Sequence, residues 1–251
     1  MRSASFDFAG STFVVTGASS GMGREITQQL ASDGAIVLAI ARTGAKLQCL
    51  SEVQSGIIPF VCDVCNKEHL QAGIEQFVHE HGKLSGAVHA AGISAMTPLR
   101  KFREDEARKV MDVSFWAGVY LMQIVNKKRL SEEYCSSVLF SSTSAYVGEK
   151  SLLAYASAKA AMQTAVRVMA KEVGNSGRRI NTISPGWVQT SMTQKDIEAH
   201  TVADSVLARH LLGLGTPEKV AGMVLFLLSQ EADWITGEDF VVDGGYLLGE
   251  A

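Results

Sequence analysis

Seven short apolar runs recur along the chain, at 12–17 (TFVVTG), 35–41 (AIVLAIA), 57–63 (IIPFVCD), 86–92 (GAVHAAG), 137–142 (SVLFSS), 179–184 (RINTIS) and 239–245 (DFVVDGG). Between them lie segments of helical period near 22–33, 45–54, 67–81, 104–128, 152–173 and 217–229. A strand that is apolar on both faces must be covered on both faces, and parallel neighbours need a long crossover to join their ends. The alternation therefore predicts a doubly wound α/β fold: a mostly parallel seven-stranded sheet with helices on both faces. No linker-like stretch divides the 251 residues, so a single domain is expected to take up the whole chain.

Sheets of this Rossmann type bind ligands beyond the carboxyl ends of their strands, which is where function should collect. One segment breaks the rhythm. At about 190–215, polar residues mix with Met192, Leu207, Leu211 and Leu212, which predicts a substrate lid with an apolar underside; a packed pair of surface helices is the alternative.

The first strand runs into the first helix through TGASSGMGRE, residues 16–25. Gly17 permits a tight turn, Gly21 lets backbone approach a pyrophosphate, and Gly23 allows close helix packing. With Ser19, Ser20 and Met22 they present the free N–H groups of a helix N-terminus to anionic oxygens. The second strand ends in Ala41-Arg42-Thr43, without the carboxylate that would accept from an NAD ribose. An arginine there can pair with a 2′-phosphate, so Arg42 and Thr43 point to NADP(H). Asp63 and Val64 are placed to meet an adenine, and Ala90, Ala91 and Gly92 bring small residues to a strand end where a nucleotide can lie against the chain. His89 reads as a buried strand histidine.

The segment YASAK places Tyr155 and Lys159 one helical turn apart with only small residues between them. A nearby ammonium favours a phenolate, so the lysine is expected to lower the tyrosine pKa and fit it for proton transfer. Thirteen residues upstream, Ser142 ends the fifth strand, where its hydroxyl can hold a substrate oxygen near that phenol.

These motifs, with SPGWVQT (184–190) and VDGG (242–245), resemble the short-chain dehydrogenase/reductase family over nearly the whole chain, and are most similar to 3-oxoacyl-(acyl-carrier-protein) reductase-like members. The resemblance implies a carbonyl–alcohol oxidoreductase in which Pro185, Gly186, Val188 and Thr190 contact the nicotinamide end of the cofactor and Lys159 also bonds the nicotinamide ribose. It further implies a homodimer or homotetramer built on the helices near 104–128 and 152–173. Two positions depart from the family pattern. Ala90 stands where an asparagine is usual, and Ser114, in MDVSFWAG, stands where the family has a catalytic asparagine. A different reading follows from them: a cofactor-binding regulatory or scaffold protein with weak or lost catalysis.

Twenty-three basic and 26 acidic residues give a net charge of −3, which makes no electrostatic case for nucleic acid or a membrane surface. No apolar leader is evident and AIVLAIA falls well short of the roughly 18 residues of a span, so a cytoplasmic protein with a small-molecule partner is expected. Ile93 to Met96, Ser144 to Tyr146 and Trp187 suggest an apolar ketone or acyl chain, free or carrier-bound. A carrier could meet a basic patch of Lys101, Arg103, Lys127, Lys128 and Arg129, although solvated helix charges explain these residues more simply. Cys62 and Cys65 form a C-x-x-C without a second pair or a histidine cluster, so they are expected to be ordinary buried thiols, and no metal is expected.

Overall fold

The computed structural model describes residues 6–190, 193, 206 and 208–249. Seven strands form one sheet: β1 (Thr12–Thr16), β2 (Ile36–Ala41), β3 (Ile57–Val61), β4 (Leu84–His89), β5 (Ser131–Phe140), β6 (Arg179–Pro185) and β7 (Asp239–Val242), in the order β3-β2-β1-β4-β5-β6-β7. Every neighbouring pair is parallel. The chain moves outward from β1 to β3, then returns to place β4 on the other side of β1. That reversal opens a crevice above the ends of β1 and β4.

Period-2 alternation divides the core. Phe13 and Val15 of β1 join one buried cluster and Val14 the other. The first cluster is closed by α1 (Gly21–Ser32), through Ile26 and Leu30, by α2 (Gly44–Val53), through Leu47 and Leu50, and by the helix Pro217–Leu228, here α8. On the opposite face α3 (Lys67–His81) contributes Leu70, Ile74 and Phe77; α5 (Ala117–Val125) contributes Leu121 and Ile124; and α7 (Leu153–Val173) contributes Met162 and Val166. Each such fully buried aliphatic side chain stabilises the fold by roughly 1.5–3 kcal/mol.

Three details differ from the sequence reading. The expected helix at 104–128 is α4 (Glu104–Met111) and α5, joined by a wide π turn over Asp112–Trp116. β5 begins at Ser131 rather than 137, because Leu84 pairs with Ser131 across a register shift. A short helix, α6 (Ser144–Val147), follows β5. The expected lid falls largely outside the described residues. Of its apolar positions, Met192 and Leu207 lie outside them, and Leu211 and Leu212 are exposed. Among the described residues no helix is long and apolar enough to cross a membrane, and no cluster of metal-ligating side chains occurs.

Candidate active site

The turn between β1 and α1 forms one wall of a cleft of about 300 Å³. Gly17 adopts φ +72°, and a Cβ at that position would stand 2.8 Å from the Ala90 carbonyl carbon and the Ala91 nitrogen. A Cβ on Gly23 would stand 2.5 Å from the Gly17 carbonyl oxygen. These two glycines let the first turn of α1 seat directly on the ends of β1 and β4. Ser20 makes no side-chain cap to that helix, so the N–H groups of its first turn face the cleft.

The cleft gathers most of the residues singled out from sequence: Gly17, Ser19, Ser20, Gly21, Met22 and Gly23 from the loop, Arg42 and Thr43 after β2, Asp63 and Val64 after β3, Ala90, Ala91 and Gly92 after β4, and Thr190. Sequence reasoning missed Lys46, in the first turn of α2, as well as Val113, while Ile93, expected in the substrate pocket, lines this cleft too. A second cation four residues beyond Arg42 was the available signal. Pro185, Gly186 and Val188 do not line this cleft. Val188 packs in the core and pairs with Gly215, while the Pro185 carbonyl accepts from the Thr143 N–H at 3.1 Å.

Ser142, Tyr155 and Lys159 come together beside the ends of β4 and β5. Lys159 is buried, 3% exposed, and its ammonium donates to the Phe140 carbonyl at 2.7 Å. The same nitrogen stands 5.6 Å from the centre of the Tyr155 ring. Burial drives Lys159 down to about 8. The expected lowering of Tyr155 by its lysine does not hold here: burial raises the phenol above its ordinary value, the Ser142 hydroxyl pulls it back, and the Glu149 charge adds to the rise. One helical turn does bring the two side chains to one face, but a strand carbonyl captures the ammonium and leaves it over the ring rather than at the phenol oxygen.

Ser114 is fully buried in the wide turn, its hydroxyl between the Ile93 N–H and C=O, each at 3.3 Å. Wide turns of this kind frequently mark functional positions. A Cβ on Gly92 would lie 3.6 Å from both Ser114 Oγ and Lys159 Nζ, so hydroxyl and ammonium flank the same stretch of backbone. His89 is buried as expected. Its Nε2 lies 3.2 Å from the Val113 carbonyl, which can only accept, so that nitrogen carries the hydrogen and Nδ1 accepts from Thr16 at 2.9 Å. Burial and the Lys159 charge hold it near 3, so it stays neutral and ties the end of β1 to the wide turn.

One other expectation is corrected. Cys62 is buried but Cys65 is exposed, because the chain turns outward after β3, with the Cys65 N–H bound to Asp63. Both thiols are pushed up to about 11, chiefly by burial. The basic patch does not assemble: Lys101 and Arg103 follow the carboxyl end of β4, whereas Lys127 to Arg129 precede the amino end of β5. Arg103 is paired with Asp105 and Glu106, and Arg129 with Glu75.

The family described as Enoyl-(Acyl carrier protein) reductase matches residues 17–247. The 3-oxoacyl-(acyl-carrier-protein) reductase of Thermotoga maritima is 30% identical over 244 residues, which span 95% of this chain and 98% of that protein. D-erythrulose reductase of Gallus gallus is 29% identical across 96% of this chain and 97% of its own. A short-chain type dehydrogenase/reductase from Mycobacterium ulcerans superposes with a TM-score of 0.92 at 27% identity, covering 98% of this chain and 93% of that one.

Proposed function

The chain belongs to the short-chain dehydrogenase/reductase family of oxidoreductases, and from that premise we propose that it is an NADP(H)-dependent enzyme interconverting a carbonyl and a secondary alcohol. The observation that carries this reading is the meeting of Ser142, Tyr155 and Lys159 beside a cleft whose glycines leave room for a dinucleotide. The residues present fit such a cofactor. Uncapped N–H groups of α1 suit its pyrophosphate, and Arg42 and Lys46 on the cleft wall suit a 2′-phosphate. Asp63 and Val64 would hold the adenine end, and Ala90, Ala91, Gly92 and Thr190 the remainder. When bound, the nicotinamide supplies or takes up the hydride.

The chain's own residues handle the oxygen. Tyr155 Oη gives its proton to the carbonyl oxygen in reduction and takes one from the alcohol in oxidation. A phenol held protonated by burial suits the acid role. Ser142 Oγ holds the same oxygen, and the Lys159 ammonium stabilises negative charge as the phenol gives up its proton. Two hydroxyls converging on one oxygen suit a carbonyl better than a carbon–carbon double bond, whose reduction ends with the proton on carbon. Reductases acting on 3-oxoacyl thioesters and on erythrulose among the relatives make those compounds the first substrates to try. Exposed Phe102, Trp116 and Leu153 share one shallow groove on α4 and α7, which supports assembly into a homodimer or homotetramer through these helices.

One observation favours the second reading, a cofactor-binding protein without turnover: the Ser114 hydroxyl is committed to the Ile93 backbone. NADPH oxidation measured with 3-oxoacyl thioesters and small ketones separates the two. The enzyme reading expects turnover that falls by about 10³-fold in Tyr155→Phe with NADPH affinity retained. Tight NADPH binding without turnover on any carbonyl, unrescued by Ser114→Asn, selects the binder.

A further inference from the structure

Glu149, in the loop after α6, takes no part in the chemistry above, yet three donors from three separate elements converge on its carboxylate. The Ser144 hydroxyl donates to Oε2 at 3.0 Å, and the Trp187 indole N–H and the Tyr246 hydroxyl both donate to Oε1, at 3.3 and 2.9 Å. Ser144 lies two residues after Ser142 at the exit of β5, Trp187 follows β6, and Tyr246, 1% exposed, lies in the segment after β7.

The hydrogen bonds have a direction. Ser144 has one hydroxyl proton, and a carboxylate can only accept it. The Ser144 oxygen is thereby left as an acceptor, and Ser142 Oγ donates to it at 3.3 Å, while the Ser144 N–H donates back to Ser142 Oγ at 3.2 Å. The Ser142 proton therefore has two claimants, the Ser144 oxygen and the Tyr155 phenol oxygen. The charge of Glu149 favours the first.

We infer that Glu149 is a positioning residue: by holding the only hydroxyl proton of Ser144, it fixes the direction of the Ser142–Ser144 pair, so that Ser142 presents an oxygen lone pair to the Tyr155 hydroxyl. The inference rests on the carbonyl–alcohol reading of the site. Its consequence is that the resting site favours a protonated Tyr155, and that Ser142 must turn before it donates to a carbonyl. The charged groups that bear on Tyr155 are Lys159, from α7, and Glu149 itself; His89 on β4 is neutral. Arg209 lies beyond Glu149, over the Tyr246 ring at 4.6 Å.

Glu149→Gln reverses the direction. Two donors occupy Oε1, so the amide oxygen settles there and the amide nitrogen faces Ser144, whose proton is released toward Ser142. Ser142 then donates to Tyr155. The test is a double-mutant cycle of Glu149→Gln and Ser144→Ala, read from the phenolate absorbance of Tyr155, isolated by subtracting the matching Tyr155→Phe protein. With Ser144 present, Glu149→Gln is expected to lower the Tyr155 midpoint by about one pH unit, and in the Ser144→Ala background by less than half of that. Ser144→Ala alone lowers it too. Equal shifts in both backgrounds, or no shift with Ser144→Ala, would overturn the inference and leave Glu149 a through-space charge or a tether. This titration needs no substrate, so a wild-type protein that turns over no carbonyl would sink the reductase reading and leave this one decided on its own readout. In a protein that does turn over, the cycle measured on kcat for ketone reduction should be non-additive in the same sense.

Discussion

The ammonium of Lys159 donates to the main-chain carbonyl of Phe140 at 2.7 Å, nineteen residues earlier in the chain, at the last position of β5. The bond ties α7 to the strand that leads to Ser142, and it buries a cation with few partners.

That burial has a cost that depends on pH. Lys159 falls from 10.5 to about 8, a difference worth about 3 kcal/mol at most. A depressed lysine means that the unfolded chain holds the proton where the native one does not, so this group's contribution to stability rises with pH between about 8 and 10.5. Lys159→Met is expected to be more stable than the parent below pH 8, with the gap closing above it. Urea unfolding of both proteins at pH 7 and pH 10 checks the sign. Comparing the pair matters, since the buried thiols, pushed up to about 11, lower the stability of both alike above pH 9.

Arg42 and Lys46 stand on the wall of the cleft and enter no ion pair among the described residues. Removing a charge-assisted contact with a phosphate costs about 1.5–3 kcal/mol. Arg42→Ala should raise the Kd for NADPH by about 10–100-fold and leave that for NADH nearly unchanged, with Lys46→Ala giving a smaller change in the same direction. Titration of cofactor fluorescence with each nucleotide measures both. Equal losses for the two nucleotides would remove the case for a 2′-phosphate at these residues.

Gly17→Ala places a methyl group 2.8 Å from main-chain atoms of Ala90 and Ala91, at φ +72°. The left-handed backbone costs about 1–2 kcal/mol and overpacking about 1–3 kcal/mol. The variant is expected to melt about 5–15 °C lower, as for a chain of this size, and to lose NADPH affinity because the turn must shift away from β4. Calorimetry with and without NADPH reads both effects.

Ser114→Ala removes a hydroxyl that bonds both the N–H and the C=O of Ile93 in a fully buried turn. The unmet backbone groups should destabilise the protein by about 1–3 kcal/mol. Because the same hydroxyl flanks Gly92 opposite Lys159, kcat is expected to fall while the Kd for NADPH stays within about twofold. Unchanged kcat with lowered stability would make Ser114 a purely structural residue.

Much of this was legible along the chain. Near-continuous apolar runs such as TFVVT and IVLAIA can be satisfied only by a sheet covered on both faces, and the glycines of TGASSGMG can be satisfied only where backbone meets backbone or a ligand. Both are local demands that any tertiary arrangement must meet. Tyr155 and Lys159 share a helix face for the same reason. What neighbours they find there is not local. The Phe140 carbonyl that takes the ammonium, the wide turn that buries Ser114, the outward turn at Cys65 and the placement of Lys46 beside Arg42 all depend on segments far apart in sequence being packed together. The direction of the Tyr155 pKa shift was decided at that level, since burial outweighed the charge that spacing alone put in view.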